Sequence, residues 1–290
     1  MGSHQDTLQY CQICGTERTQ GYVYAKNNIP IFRCRSCGVG RAGAIDFEPE
    51  KYYTERYFTG GYEESYVDYP GSEEILRREF RKTLDYLRRI GPSGGTCLEI
   101  GCAYGFFLQE AKQYYTVYGV EMSTAAVQHC LKNGLQNVRQ GHLTPETVKE
   151  IGKFDVVVML DVIEHIDDLE GLVRLISSAL KPGAVFMLTT GDWSSLAARL
   201  TGSSWRLMSP PGHLWYLTPE SLDVLMQRNG MKRIDIHYPW KIVPFDLIIK
   251  QAMLMLGWKT RMLLPNIVRT LGIPANMFDS MRLVYRRTEE

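Results

Sequence analysis

Leu98-Glu-Ile-Gly-Cys-Ala-Tyr-Gly105 is the stretch that decides how this chain folds. The apolar run at 96–100 reads as a short buried strand. Small residues at Gly101, Ala103 and Gly105 let the backbone turn tightly and let a ligand lie against it. Residues 106–114 carry apolar positions at helical spacing, so a helix opens there with its free amides facing the turn. A dinucleotide fingerprint would need Gly-x-Gly-x-x-Gly, and Gly-x-Ala-x-Gly stands here instead.

Strands and helices alternate outward from this turn. Residues 72–90 read as a helix starting at Ser72 and ended by Gly91-Pro92. Strands are expected at 116–120, 137–140, 154–160, 184–189, 231–236 and 281–286. Helices are expected at 124–132, with Ser123 as cap, at 169–180, and from Thr218-Pro219-Glu220 to near Gly230. Phe154-Asp-Val-Val-Val-Met-Leu160 is nearly all apolar, as a strand buried on both faces must be. The order implies an α/β, Rossmann-like doubly wound sheet with ligands at the carboxyl ends of its strands. Glu121 follows the second of these strands, twenty residues past Gly101. An acid there accepts hydrogen bonds from a ribose diol, so the pattern points to a nucleoside-bearing cofactor.

Leu98–Gly105, Tyr118-Gly-Val-Glu-Met-Ser123, Phe154-Asp-Val-Val-Val-Met-Leu-Asp-Val-Ile-Glu-His-Ile166 and Leu180-Lys-Pro-Gly183 resemble the successive motifs of class I S-adenosylmethionine-dependent methyltransferases. The resemblance implies a seven-stranded sheet whose last strand is antiparallel. It implies that Glu99, Gly101 and Gly105, with Ala103 between them, hold the methionine half of the cofactor. By the same match Glu121 binds the ribose, Met122 packs on the adenine, and Asp161 lies near the methionine end. The family often has an acid near the end of the third strand, where Gly141-His142-Leu143 stands here.

Cys11-Gln-Ile-Cys14 and Cys34-Arg-Ser-Cys37 are each followed by glycine. Two such knuckles can give one Zn²⁺ four thiolate ligands. Strands at 21–24 and 29–33 would complete a zinc ribbon. So short a segment builds no core of its own, which makes the zinc structural. The other three of the seven cysteines, Cys97, Cys102 and Cys130, are expected to be buried thiols. The expected organisation is a ribbon at 1–45, an aromatic connector or lid at 46–71, and a methyltransferase domain at 72–290. The connector carries Phe47, Tyr52, Tyr53, Tyr57, Phe58, Tyr62, Tyr66 and Tyr69. An apolar insertion at 238–280 reads as a helical cap, or as a surface touching a membrane or a lipid-linked substrate.

Methyl transfer from a sulfonium needs an aligned nucleophile and often a base. His213, in Pro210-Pro-Gly-His-Leu-Trp-Tyr216, and His165, just past the fourth strand, are the candidate bases. Tyr216 joins them as a candidate catalytic residue, and with Trp205 and Trp215 it could wall the substrate. Asp192 and Trp193 should face the same mouth. Asp161-Val-Ile-Glu-His165 also resembles the corresponding segment of ubiquinone-type O-methyltransferases, where a divalent ion is implicated.

The ribbon-plus-domain order resembles sugar and natural-product methyltransferases, and also rRNA guanine methyltransferases with an N-terminal ribbon. The first resemblance implies O-methylation of a small molecule: a sugar, a glycan precursor or another natural-product intermediate. The second implies an rRNA or tRNA methyltransferase gripping RNA through Arg18, Arg33, Arg35 and Arg41. A non-catalytic cofactor-binding scaffold is the third reading. Lys plus Arg is 33 against 32 for Asp plus Glu, without the basic excess typical of a nucleic-acid binder. No basic n-region with an apolar run opens the chain, and Asp246 and Lys250 break its longest apolar stretch, so a cytoplasmic location is expected.

Overall fold

The computed structural model describes residues 10–17, 20–43, 52, 54–61, 68–244 and 272–288. It begins with β1 (Gln20–Lys26), β2 (Ile29–Cys34), β3 (Gly40–Ala42) and the short α1 (Glu55–Phe58). There follow α2 (Glu73–Ile90), β4 (Gly95–Ile100), α3 (Phe106–Ala111), β5 (Tyr115–Glu121), α4 (Thr124–Lys132), β6 (Val138–Gln140), α5 (Pro145–Ile151) and β7 (Phe154–Leu160). The rest is α6 (Leu169–Ala179), β8 (Leu180–Gly191), α7 (Leu196–Thr201), β9 (Trp215–Tyr216), α8 (Pro219–Arg228), β10 (Met231–His237), β11 (Lys241–Pro244), β12 (Gly272–Ala275) and β13 (Ser280–Arg287).

Seven strands form the central sheet in the order β10-β13-β8-β7-β4-β5-β6. The pairs from β8 to β6 are parallel, and β13 runs antiparallel to both its neighbours, as the family resemblance implies. The alternation of β7 explains why it is apolar throughout. Val157 and Met159 enter the cluster with α6 and α8, while Val156 and Val158 enter the one with α2, α3 and α4. Cys97, Cys102 and Cys130 are buried in the second cluster.

Two boundaries differ from the sequence reading. Strand β8 starts at Leu180, where it pairs with Phe154, so Pro182-Gly183 lies within a strand. Helix α5 fills a segment between two expected strands to which the sequence reading assigns no element. Its signal is Thr144-Pro145-Glu146, the same triplet that opens α8, with the Thr144 hydroxyl accepting from Thr147 N.

The four-cysteine segment docks against the sheet domain. Strands β1, β2, β3 and β9 form one antiparallel sheet, so Trp215 and Tyr216 complete the ribbon from the far end of the sequence. Gln12 Oε1 accepts from Leu169 N (2.9 Å) at the start of α6. Arg228 Nη1 donates to the carbonyls of Gln12 and Ile13. Cys11, Ile13, Cys34 and Val39 belong to the same buried cluster as α6 and α8.

In the insertion, β11 and β12 pair antiparallel. The rest of the apolar insertion, residues 245–271, lies outside the described residues, as do Arg18, Phe47, Tyr53, Tyr62 and Tyr66. Among the described residues, no helix is long and apolar enough to cross a membrane.

Candidate active site

The turn after β4 has positive φ at three alternate positions: Gly101 (73°), Ala103 (46°) and Gly105 (75°). A Cβ on Gly101 would stand 2.6 Å from Val162 Cγ2, so the close approach requires glycine there. Glu121 ties this turn to the one after β5. Its Oε2 accepts from Ala103 N (2.9 Å) and its Oε1 from Ser123 N (2.8 Å). Each carboxylate oxygen keeps acceptor capacity for a further donor.

Glu99 is 3% exposed, and its Oε2 has no hydrogen-bond partner. Burial pushes its carboxyl well above the usual range, with Cys130 and Glu121 adding to the effect. Burial also raises Glu121, against the opposing pull of its backbone donors. An orphaned buried carboxyl beside a glycine turn suits the positive end of a bound ligand. Met122 is half-buried beside this turn, and Gln140 Nε2 reaches its carbonyl (3.4 Å). His142 is exposed. Phe58 and Tyr69 of the connector pack on Tyr104 and Phe106, with the Tyr69 and Phe106 rings stacked at 5.5 Å.

Asp161 follows β7 with φ at 56°, a left-handed conformation rare outside glycine and concentrated at functional sites. Its amide donates to Thr189 O (3.1 Å) and Oγ1 (3.0 Å), and that hydroxyl donates back to Asp161 Oδ1 (3.0 Å).

His165 and His213 meet one turn further on, with ring centroids 4.8 Å apart and perpendicular planes. His165 Nδ1 is 2.7 Å from Gly212 O, and His213 Nδ1 is 2.9 Å from Leu207 O. A carbonyl only accepts, so each Nδ1 carries the proton and each Nε2 keeps its lone pair. Burial lowers both histidines, and with the neighbouring His165 it takes His213 down to about 3. Both rings are therefore neutral near pH 7. Glu164 completes the group: ligand atoms of Glu164, His165 and His213 all lie within 4.8 Å of one another. Two imidazoles and a carboxylate suit a divalent transition ion.

Tyr216 is 2% exposed and its hydroxyl donates to the His213 carbonyl (3.2 Å). It braces the backbone of the loop from the side of the four-stranded sheet. Trp193, Trp205 and Tyr216 share one buried cluster, and Trp215 Nε1 donates to Ile166 O (2.7 Å). Asp192 Oδ2 accepts from Tyr238 (2.7 Å), and buried Asp279 accepts from Trp205 Nε1 and, in a two-point contact, from Nε and Nη2 of Arg206. The Asp279 network was not legible in the sequence, because its members lie 73 and 74 residues apart.

The four cysteines also converge. Cys11 Sγ lies 3.8 Å from Cys37 Sγ, and Cys14 Sγ 3.7 Å from Cys34 Sγ. Tetrahedral Zn–S bonds of about 2.3 Å place sulfurs about 3.8 Å apart, so the spacing fits zinc. Gly15 and Gly38, both at positive φ, close the knuckles by donating to the Cys11 and Cys34 carbonyls. The contact between Cys11 and Cys37 lowers the first thiol and raises the second, as expected of two sulfurs sharing one proton. Of the arginines considered for gripping RNA, Arg33 lies over Trp193, and Arg41 is 8% exposed, stacked on Trp215 and paired with Asp167.

A family model described as a methyltransferase domain matches residues 72–235. The chain is 25% identical over 191 residues to a ubiquinone biosynthesis O-methyltransferase of Xanthomonas axonopodis pv. citri, covering 60% of this chain and 80% of that protein. It is 30% identical over 146 residues to the protein of that name from Escherichia fergusonii, covering 48% and 58%. Among solved structures, an S-adenosylmethionine-dependent methyltransferase from Archaeoglobus fulgidus superposes with a TM-score of 0.51 at 17% identity, covering 74% of this chain and 97% of that one. The Archaeoglobus likeness, at that identity, bears on the fold alone. The family match spans more than half of the chain and lies on a seven-stranded sheet with an antiparallel last strand, so the chain belongs to the methyltransferase-domain family and is a class I S-adenosylmethionine-dependent methyltransferase.

Proposed function

We propose that the chain transfers a methyl group to a hydroxyl of a small-molecule acceptor, with His213 and His165 as the proton-accepting pair. The observation that carries this reading is the tautomer of the pair: both Nδ1–H groups are held by main-chain carbonyls, so in both rings Nε2 is the basic nitrogen. The names of the relatives favour oxygen over nitrogen or carbon.

S-adenosylmethionine supplies an electrophilic methyl carbon. Glu99 and the 101–105 turn hold its methionine half, Glu121 its ribose, Met122 its adenine, and Asp161 lies near its methionine end. With that carbon supplied, an acceptor hydroxyl aligned with it would pass its proton to a histidine Nε2 of the pair. The aromatic connector covers the turn as a lid. The four cysteines hold one structural zinc.

A sugar, glycan precursor or other natural-product intermediate remains the acceptor we favour, in a cytoplasmic setting, with membrane or lipid contact reserved for 238–280. The RNA reading is weakened by Arg33 and Arg41, whose guanidiniums are engaged within the protein. A second reading rests on the clustering of Glu164, His165 and His213. Those three would hold a divalent ion, which would acidify the acceptor hydroxyl.

The test is incubation with methyl-labelled S-adenosylmethionine and fractionated cell extract, followed by NMR of the labelled product. A methyl ether supports the reading, and a methyl ester, N-methyl or C-methyl product rejects it. Cofactor binding without turnover on any fraction favours the scaffold instead. Metal analysis of the protein with all four cysteines replaced separates a histidine-bound ion from the ribbon zinc.

A further inference from the structure

Arg282 is the least exposed arginine at the ligand edge of the sheet apart from the stacked Arg41 of the ribbon, each at 8%. It stands on β13 opposite Thr189 of β8, the residue that grips Asp161, and opposite His237 of β10. Because β13 is antiparallel, its first residues lie at the carboxyl end of the parallel strands. Arg282 and His237 therefore share the edge that carries Asp161.

Arg282 Nη2 donates to Thr83 Oγ1 (2.6 Å), and the guanidinium lies 5.3 Å from the Tyr86 ring centroid. Its Nε–H is buried with no acceptor. The His237 ring rests 4.3 Å from that of Tyr86, and His237 Nδ1 is likewise buried without a partner. Asp161 and Glu79 offset part of its charge without hydrogen-bonding to it, accepting instead from Thr189 and Lys82, and Asp235 accepts from the Tyr86 hydroxyl. Arg88 and Arg233 also leave one buried nitrogen unpartnered, but both are only partly buried, and Arg233 is paired with Asp223. Arg282 is a buried cation with a free donor, next to a second free ring nitrogen, at the acceptor side of the sheet. Leaving such groups unmatched is unfavourable, and an oxyanion satisfies both. The guanidinium edge presents parallel N–H groups that fit a carboxylate or a phosphate.

We propose that Arg282 and His237 form an anion subsite that recognises a carboxylate or phosphate group on the methyl acceptor. The inference rests on the small-molecule reading above and narrows it to a hydroxylated molecule bearing an oxyanion. Neutral sugars and neutral lipids would leave the pair unmatched.

The test uses the full chain loaded with S-adenosylhomocysteine. The Arg282 Nε–H signal is assigned in ¹⁵N NMR by its loss in Arg282→Lys. Inorganic phosphate and acetate are titrated separately against sodium chloride at matched ionic strength. A saturable shift with either anion is expected, and the arm that saturates at lower concentration names the oxyanion class. Arg282→Lys should weaken the binding at least tenfold, read on the neighbouring Thr83 amide. His237→Gln, at a half-buried position that endangers the fold less, should do the same. A shift that never saturates, or that chloride reproduces, means an adventitious ion only and overturns the proposal. Saturation unchanged in both variants overturns it too. S-adenosylhomocysteine affinity is measured in the same samples. Its loss in the unmodified chain would sink the methyl-transfer reading itself, whereas intact affinity without anion saturation sinks the subsite alone.

Discussion

Asn27 of the ribbon donates its side-chain amide to the carbonyl of Pro210, 2.9 Å away in space and 183 residues away in sequence. This bond is one of several that place the loop carrying His213 between two modules. Ala42 N donates to Leu214 O (2.9 Å), and Leu214 N donates to Glu164 O (2.8 Å). The four-cysteine segment thus forms part of the wall on which the histidine pair is mounted.

Chelation of the zinc proposed for the four cysteines should therefore affect the acceptor side and spare the cofactor side. Tryptophan fluorescence should shift, because Trp193 and Trp215 lie under ribbon arginines. Methyl transfer should fall while S-adenosylmethionine affinity stays within about twofold, as for sites without shared partners. Calorimetry on chelated protein checks this, and parallel loss of cofactor affinity would show that the ribbon supports the whole domain instead.

Gly40 is where the ribbon and the loop touch most closely. A Cβ there would stand 2.5 Å from Trp193 Cζ3 and 2.8 Å from Tyr216 Cβ. Gly40→Ala should destabilise the protein by about 1–3 kcal/mol, the usual range for overpacking. Denaturant unfolding measures it, and a neutral result would mean that β3 and β9 separate easily.

The sheet was legible because its strands are buried on both faces and their sequences are correspondingly apolar, as in Phe154–Leu160. The turn residues Gly101, Gly105 and Glu121 were legible because their spacing is local. The pairing of Arg41 with Trp215 was not, since no local period announces a partner so remote in sequence. Arg282 was hidden for another reason. It sits in a strand whose other residues are mostly core, and only the fold shows that its Nε–H lacks an acceptor.

Cofactor affinity should rise with pH. Burial raises both Glu99 and Glu121 above the ordinary carboxyl value, so in the free protein they hold protons to higher pH. The sign for stability is the reverse of a salt-bridged acid: the contribution is greatest at low pH and is lost as pH rises through the raised values. A bound sulfonium and ammonium favour the ionised forms, so binding releases protons. Affinity should then increase by at most about tenfold per pH unit for each proton released, and level off once both acids ionise unaided. Calorimetry in buffers of different ionisation enthalpy reads the release directly. Glu99→Gln should flatten the profile, and a wild-type affinity that falls with pH would refute the assignment.

Glu121→Ala should weaken S-adenosylmethionine binding for two reasons. It removes the acceptor assigned to the ribose, and it frees the amides of Ala103 and Ser123 that now hold the two turns together. Charged-acceptor hydrogen bonds contribute roughly 1.5–3 kcal/mol each, so a loss of about tenfold to a hundredfold is expected. Glu121→Gln keeps one acceptor oxygen and should lose less. Unchanged affinity in both variants would remove Glu121 from the cofactor site.

The histidine pair should behave as a unit. Removing a general base typically lowers turnover by about 10²–10⁴-fold, and His213→Ala should fall in that range with cofactor affinity within about twofold. His165 shares the ring contact and the same Nδ1–H tautomer, so His165→Ala should also reduce turnover. Groups that act together are non-additive. The double variant should therefore be no slower than the worse single variant, measured as label transferred to the product fraction from extract. Losses that multiply would mean independent roles, one histidine serving as base and the other only fixing the loop through Gly212.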